Sequence, residues 1–586
     1  TYTPKVLSSE WYARLSNEAA FNENPNAEMP YSDEEIEMFR NGSNPDMYPN
    51  TNWYDLVLDD LAVMTKHSVS VSGGNKVKYF TSLGYMYDDK FTPEASANRY
   101  NMTTNLSSDI TSWLSWRSNF KYIQNTNNTE SGGIGYTELL TVPSTYVARQ
   151  SNGEWGSYEG GNPAALVNMQ RNPLRRLEEG GWNNNKSQNT LIDLALDIKP
   201  VKGLTLTGQM IYKAYDYKGK TYEANRNKIK DFVTGSELNG TDVTASKMTY
   251  DWNENSRLTY NGLANYNWSN ENHNISALGG VSYEHYKYQQ QKSWRRNFPT
   301  NGMTGINGGS SAPSDMSTEG DVYEDKLMSY FARLNYSYKD RYLLEANFRA
   351  DASSRFHKDN RWGFFPGVSA GWRISEEPFV KDNLTWLSNL KLRASYGEQG
   401  NDPINAFQYV TTYAYSNSTV YKAKYDNKDV NFIIPGTTPN PFVTWEVAKT
   451  WNVGLDGEIR GGLLSWELEY FHTRRENILC TRNASIPNYS GLTNLPDENI
   501  GIVQNSGLEF QLAHQGRSAD GNFRYRLAGN FMYAKNKVVY MDEAPWPEGH
   551  DYMKLEGHPM GSGLYYQVIG INKTDDDLMK YPQMAG

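Results

Sequence analysis

One pentapeptide, Gly367-Val368-Ser369-Ala370-Gly371, has the G-x-S-x-G spacing of a hydrolase nucleophile. In that chemistry the serine sits on a sharp turn from strand into helix, which lifts its hydroxyl toward a general base. Here a two-residue alternation runs on through Trp372 and Ile374 and no helix-forming run follows. The serine is therefore expected in mid-strand, with the glycines at points of close approach. The eight histidines, His273, His285, His357 and His472 among them, show no H-E-x-x-H or other ligand spacing. Asp575-Asp576-Asp577 lacks the glycine and terminal glutamate of a calcium loop. No phosphate-cradling glycine loop is present, and no carboxylate pair stands out for glycosidase chemistry among 67 acidic residues. With one cysteine, Cys480, no internal disulfide can form. No catalytic residue, metal or cofactor is expected.

Binding chemistry is better represented. Trp155, Tyr158 and Trp182 fall in a Gly/Asn-rich stretch, 125–186, and Trp294 falls in 289–325. Aromatic faces among polar neighbours suit sugar rings or peptide side chains; they also suit packing of loop on loop or against a partner. These four are the candidate substrate contacts.

Strands must carry these groups. From Met328 to Tyr338 every second residue is Met, Tyr, Ala or Leu, and the residues between are Ser329, Phe331, Arg333, Asn335 and Ser337. After the turn Lys339-Asp340-Arg341, residues Tyr342, Leu344, Ala346, Phe348 and Ala350 alternate with Leu343, Glu345, Asn347, Arg349 and Asp351. A period of two puts the sets on opposite faces, one apolar with aromatic ends and one charged. The same reading gives sixteen strands: 67–73, 77–87, 99–109, 113–124, 187–199, 203–216, 256–268, 272–288, 326–339, 341–352, 362–375, 389–397, 446–458, 463–475, 500–514 and 522–534. Tight links alternate with long ones at 125–186, 217–255, 289–325, 398–445 and 476–499, and 376–388 is the one swollen link on the short side. Such segregation of loop lengths is expected of a transmembrane up-and-down antiparallel β-barrel, with apolar residues toward lipid and charged ones toward a wet lumen. Glu345, Arg349, Arg524 and Arg526 are the expected lumen-facing residues. Residues 1–66 read instead as short polar helices, at Ser8–Phe21 and after Ser32.

Composition supports strands over helices as the spanning element. Aromatic residues make up 13% of the 586 while all hydrophobic residues reach only 38%, so no stretch approaches the about 18 apolar residues of a membrane helix. A net charge of −10 disfavours a nucleic-acid partner.

Six stretches in order, YPNTNWYDLVL (48–58), HSVSVSGG (67–74), RWGFFPGVSAGWRISEEPFV (361–380), LKLRASYGEQGN (390–401), WNVGLDGEI (451–459) and NIGIVQNSGLEFQL (499–512), resemble the SusC/RagA family of TonB-dependent outer-membrane transporters of Bacteroidetes. Asn52 departs from the family's usual aspartate. The resemblance implies a 22-stranded barrel with an N-terminal plug, of which this sequence covers about strands 2 to 17, and makes 1–66 the first extracellular loop. Plug, TonB box, first strand and about five final strands are expected outside it, and 556–571 is expected to begin another strand. It further implies import of oligomeric nutrients, mostly glycans, across the outer membrane. The implied partners are a SusD-like lipoprotein lid, the TonB complex, the oligosaccharide or peptide substrate, and outer-membrane lipid with lipopolysaccharide. A dimer of transporter–lid pairs extends the same resemblance. An oligopeptide importer of the same family, a passive porin, and a secreted all-β enzyme or lectin are the alternative readings.

Overall fold

A computed structural model describes residues 5–26, 28–131, 134–155, 172–230, 234–237, 242–415, 423–426, 428–430, 433–482, 495–518, 520–543 and 545–568. Sixteen long strands form one sheet. They are β1 (Met64–Gly73), β2 (Val77–Asp89), β3 (Ser96–Asp109), β4 (Leu114–Glu130), β5 (Gly181–Val201), β6 (Leu204–Glu223), β7 (Lys247–Ser269), β8 (His273–Arg296), β9 (Met316–Tyr338), β10 (Tyr342–Ser353), β11 (Trp362–Arg373), β12 (Leu387–Asn401), β17 (Glu446–Ile459), β18 (Leu464–Thr481), β19 (Asp497–Arg517) and β20 (Arg524–Tyr540). Three-residue strands β13 (Tyr413–Tyr415) and β16 (Ile433–Pro435), and β14 (Ala423–Tyr425) and β15 (Lys428–Val430), pair within the link between β12 and β17. The long strands follow one another in sheet order without a crossover, as a meander of antiparallel hairpins requires.

The sixteen strands correspond one for one with those expected, and the differences lie at their ends. β7 begins at Lys247, β8 runs to Arg296 and β9 begins at Met316, so the long links expected at 217–255 and 289–325 contract. Alternation of apolar and polar residues fades there, whereas backbone pairing continues. At about 3.3 Å per residue, the 24 residues of β8 make roughly 80 Å of strand, while about 9–11 residues suffice for a tilted span. The excess needs no lipid-compatible face, so periodicity cannot mark it. The expected strand over 556–571 is not found: residues 556–568 are turns and irregular backbone, and 569–571 lie outside the described residues. The run Glu556-Gly557-His558-Pro559-Met560-Gly561 carries two positive-φ glycines and a proline, all poor in strand interiors.

Turn chemistry is local. Lys339 and Asp340 both adopt positive φ, 53° and 54°, as the central residues of a turn closed by the Arg341 amide on the Tyr338 carbonyl at 3.0 Å, within the three-residue link 339–341. Gly74 has φ 115°, and a Cβ there would lie 1.8 Å from the Val77 carbonyl oxygen, so only glycine fits the turn from β1 to β2.

The faces are oriented by exposure. Leu344 and Phe348 are 47% and 44% exposed, whereas Ser329 and Asp351 on the opposite face are 1% and 7% exposed. A water-soluble sandwich would bury the first pair; a lipid-facing wall exposes it. Rings collect at the short-link end. Tyr338 and Tyr342 stack with centroids 6.4 Å apart, and His273 Nδ1 meets the Tyr336 hydroxyl at 2.9 Å. In the link between β11 and β12, Glu377 accepts from Tyr342 Oη at 2.6 Å and Trp372 Nε1 at 3.1 Å. Those two hydrogen bonds hold its carboxyl below the ordinary carboxylate range.

The chain divides into two compact units: Thr1–Pro200 with Thr207–Asn261 and Glu284–Glu324, and Val201–Leu206 with Gly262–Tyr283 and Asp325–Gly586. In the first, helices α1 (Ser9–Glu23) and α2 (Asp33–Asn41) start at Ser8 and at a Ser32/Glu35 capping box, and bury Ala13, Ile36 and Phe39 together. Helix α3 (Trp53–Val57) starts at Asn52, whose Oδ1 accepts from the Tyr54 amide while Nδ2 donates to Asp55 at 2.5 Å. An aspartate at 52 would keep the cap and lose the donation to Asp55. Trp53, Tyr54 and Val57 pack on Leu139, Val142 and Ala148, anchoring part of the link between β4 and β5. The second unit has a cluster of Phe356, Phe365, Ile404, Val443 and Trp445.

Phe348→Arg, about mid-span on the apolar face, is expected to lower barrel stability by about 2–4 kcal/mol. Asn347→Lys, one residue along on the polar face, is expected to assemble normally. Heat-modifiability of the extracted protein measures both; a larger defect in Asn347→Lys would mean the faces are reversed, and equal defects that neither face meets lipid.

Candidate functional site: the polar face of the sheet

In the second unit the polar face carries a lattice of ion pairs, most of them between strands. Arg333 donates to Glu345 Oε2 at 2.6 Å. Arg349 donates to Asp351 at 2.7 Å and to Ser329 Oγ at 2.9 Å, with its guanidinium 5.5 Å from the Phe331 ring centre. Arg355 spans both oxygens of Asp325 at 3.2 and 2.7 Å. Arg393 donates to Asp456 at 3.0 Å and also to Glu469, and Lys391 reaches Asp456 at 3.3 Å. Register explains why Arg393 matters. Asp456 lies opposite Glu467, and Glu469 opposite Glu509, and like charges facing each other across strands are unfavourable. Gly454 lets the guanidinium cross between them, since a Cβ there would sit 2.6 Å from Arg393 Cζ.

Ser369 of the G-x-S-x-G run lies in β11, opposite Glu345 on one side and Ser395 on the other. A Cβ on Gly367 would lie 2.4 Å from Asn347 Oδ1, so this glycine makes room for a neighbouring side chain. These residues border a recess of about 460 Å³ lined by Asn274, Ser276, Glu345, Ser369, Arg393 and Ser395, among others. Such a wall offers hydrogen bonds to a solute. Its serine sits in mid-strand, without the strand-to-helix turn a nucleophile needs.

Glu345 and Arg349 thus join the lattice on β10. Arg524 and Arg526 stand on β20, six strands further in sheet order, where they oppose Arg517 and Gln515 beside the short link to β19. The structure does not gather the four residues into one site. The Arg393–Asp456–Glu469 group is the one the sequence reading missed. Alternation in Lys391-Leu392-Arg393-Ala394-Ser395 marks its face, but pairing of β12 with β17 across a 44-residue link is not visible in any local window.

The candidate tryptophans lie in the first unit. Trp155 donates through Nε1 to Glu179 at 2.6 Å, with Arg149 4.2 Å from its ring centre. Trp182 stacks on Tyr222 at 6.0 Å with Lys220 Nζ 5.3 Å from its ring centre, and joins the cluster of Tyr222, Met248 and Phe298. Trp294 has Arg296 and Lys247 at 4.7 and 5.8 Å. Parity separates the last two: Trp182 shares the apolar face of Ile192 and Leu194 on β5, whereas Trp294 shares the face of Tyr288 and Gln290 on β8. Tyr158 and Asp575-Asp576-Asp577 lie outside the described residues. Among the described residues no group of three His, Cys, Asp or Glu could hold a metal.

Residues 135–562 match the model of the TonB dependent receptor-like, beta-barrel family. The TonB-dependent receptor P26 of Formosa agariphila is 27% identical over 97% of this chain and 53% of its own length. The TonB-dependent receptor SusC of Bacteroides thetaiotaomicron is 28% identical over 89% of this chain and 53% of its own length. The chain therefore spans about half the length of the curated relatives it matches. Among solved structures, the RagAB peptide transporter superposes with a TM-score of 0.72 at 20% identity, covering 91% of this chain and 59% of that one. At that identity the likeness is one of fold.

Arg393→Met is expected to leave four carboxylates facing one another and to destabilise the sheet, with coupling energies of about 0.5–3 kcal/mol. Adding Glu469→Gln should recover part of the loss. The heat-modifiability midpoints of wild type, both single variants and the double variant give the coupling directly.

Proposed function

Because this chain belongs to the TonB-dependent receptor-like β-barrel family, we propose that it forms part of an energised importer of oligomeric nutrients in the outer membrane, and that the nutrient is a glycan. The family's activity is transport. The supporting observation is the two-faced sheet: an exposed apolar wall and a polar wall of paired charges, with short links at one end of the strands and long links at the other. A solute on the polar face would meet amides, hydroxyls and neutralised ion pairs, which suit a polyhydroxylated ligand. On this reading residues 1–66 and the long links face the cell exterior and support a SusD-like lipoprotein lid. TonB would act through a region that this sequence does not include. Trp155, Tyr158, Trp182 and Trp294 remain the proposed loop-side contacts, and Trp294 stands on the polar face. The peptide-transporter likeness gives the oligopeptide reading its support, and its test is the same.

Two measurements are decisive. A tag inserted in 131–155 should be reached by antibody on intact cells and one at 270–272 should not; the opposite pattern overturns the orientation. Cells carrying the complete protein should accumulate labelled oligosaccharide only while the proton-motive force is intact. Uptake that survives uncoupling would make the protein a passive pore, and uptake of oligopeptides alone would replace the glycan.

A further inference from the structure

The polar face of β7, β8 and β9 carries a set of rings on the long-link side of the span. Along β8, Glu284, Tyr286, Tyr288 and Gln290 occupy one face, alternating with His285, Lys287 and Gln289. Tyr323 of β9 closes on both tyrosines, its ring centre 5.7 Å from that of Tyr286 and 5.1 Å from that of Tyr288, at interplanar angles of 50° and 36°. From β7, Arg257 lies 5.2 Å from the Tyr286 ring centre and 3.3 Å from Glu284 Oε1. The Tyr288 hydroxyl donates to Gln290 Oε1 at 3.0 Å, and Gln290 Nε2 donates to Asp251 Oδ1 at 3.0 Å.

This is not the arrangement of an interface girdle. Girdle rings face lipid, and these three face the side that carries the ion pairs. Nor are they sealed in a core, for Tyr323 is 37% exposed. Tyr286 lies more than ten residues beyond the short link at 270–272, past the length a tilted span needs. Burial, reinforced by the Tyr323 phenol, pushes the Tyr286 phenol up to about 12, so its hydroxyl stays protonated at any physiological pH.

We propose that Tyr286, Tyr288 and Tyr323, with Asp251 and Gln290, form a subsite on the lumen wall for a neutral pyranose ring. The angled phenol faces take the C–H face of the sugar, and the phenol hydroxyls, the amide and the carboxylate take its hydroxyls. The charge around the rings selects against anions. Burial raises the Tyr288 phenol and the nearby Asp251 and Asp321 add to the shift, while Arg257 is engaged with Glu284. An acidic sugar or acidic peptide would meet net negative charge there. The inference rests on the import reading above and adds a place and a ligand class to it.

The test uses the full-length transporter, extracted in mild detergent with whatever lipoprotein accompanies it, and isothermal titration with two probes. One is a panel of neutral gluco-, xylo- and manno-oligosaccharides, the other a tryptic oligopeptide pool. Wild type should bind a member of the sugar panel. Tyr288→Ala with Tyr323→Ala should weaken that binding by about tenfold or more, while Tyr288→Phe with Tyr323→Phe, which keeps the faces, should stay within about threefold. Heat-modifiability confirms that both variants are folded. Sugar binding unchanged by the alanine pair overturns the subsite and leaves the importer standing. Peptide binding without sugar binding overturns the sugar assignment. Binding of neither, together with unimpaired growth of cells lacking the gene on every panel member, removes the import reading itself.

Discussion

Backbone pairing is the constraint from which the rest of this structure follows. In hydrocarbon each unpaired N–H or C=O costs several kcal/mol, and the strand ladder is one of only two ways to pair them all. Because the ladder settles that requirement, side chains are free to differ on the two faces. Leu344 and Phe348 can lie exposed because lipid accepts them, and Ser329 and Asp351 can lie covered because Arg349 bonds both. The low overall hydrophobicity of the chain has the same origin: only one face of roughly ten residues per strand must be apolar.

This division decides what could be read from sequence. Within the span one face is committed to lipid, so a period of two is imposed and a single hairpin such as β9–β10 reveals it. Beyond the span neither face is committed. The extensions of β7, β8 and β9 therefore leave no periodic trace, although they hold Trp294 and Tyr323. Tyr286 and Tyr288 lay inside the strand read over 272–288, but the face they share with Tyr323 had to be found by carrying parity up from the apolar span below. Aromatic residues in glycine-rich stretches drew attention instead. Of those, Trp155 and Trp182 are engaged with loop and cluster neighbours, as their surroundings in packed links allow.

Helices at the start of the chain were legible for a different reason. Ser32 with Glu35 is a reciprocal cap that uses residues three apart, so it needs no tertiary context. The partner of α3 was not legible. Trp53 and Tyr54 pack on residues more than eighty positions away, and a polar-looking segment hid three buried side chains.

The ion-pair lattice of the second unit sets what its polar face offers a solute. Arg333, Arg349, Arg355 and Arg393 each meet at least one carboxylate, so the wall presents dipoles and paired charges more than free charge. A solute moving along it gains hydrogen bonds while each ion pair keeps its partner, and no single contact holds it strongly. Strong retention would require a site where rings and polar groups converge with no strand crossing them. Within the first unit the tyrosines of β8 and β9 meet that description; within the second, the lattice around Arg393 meets the opposite one.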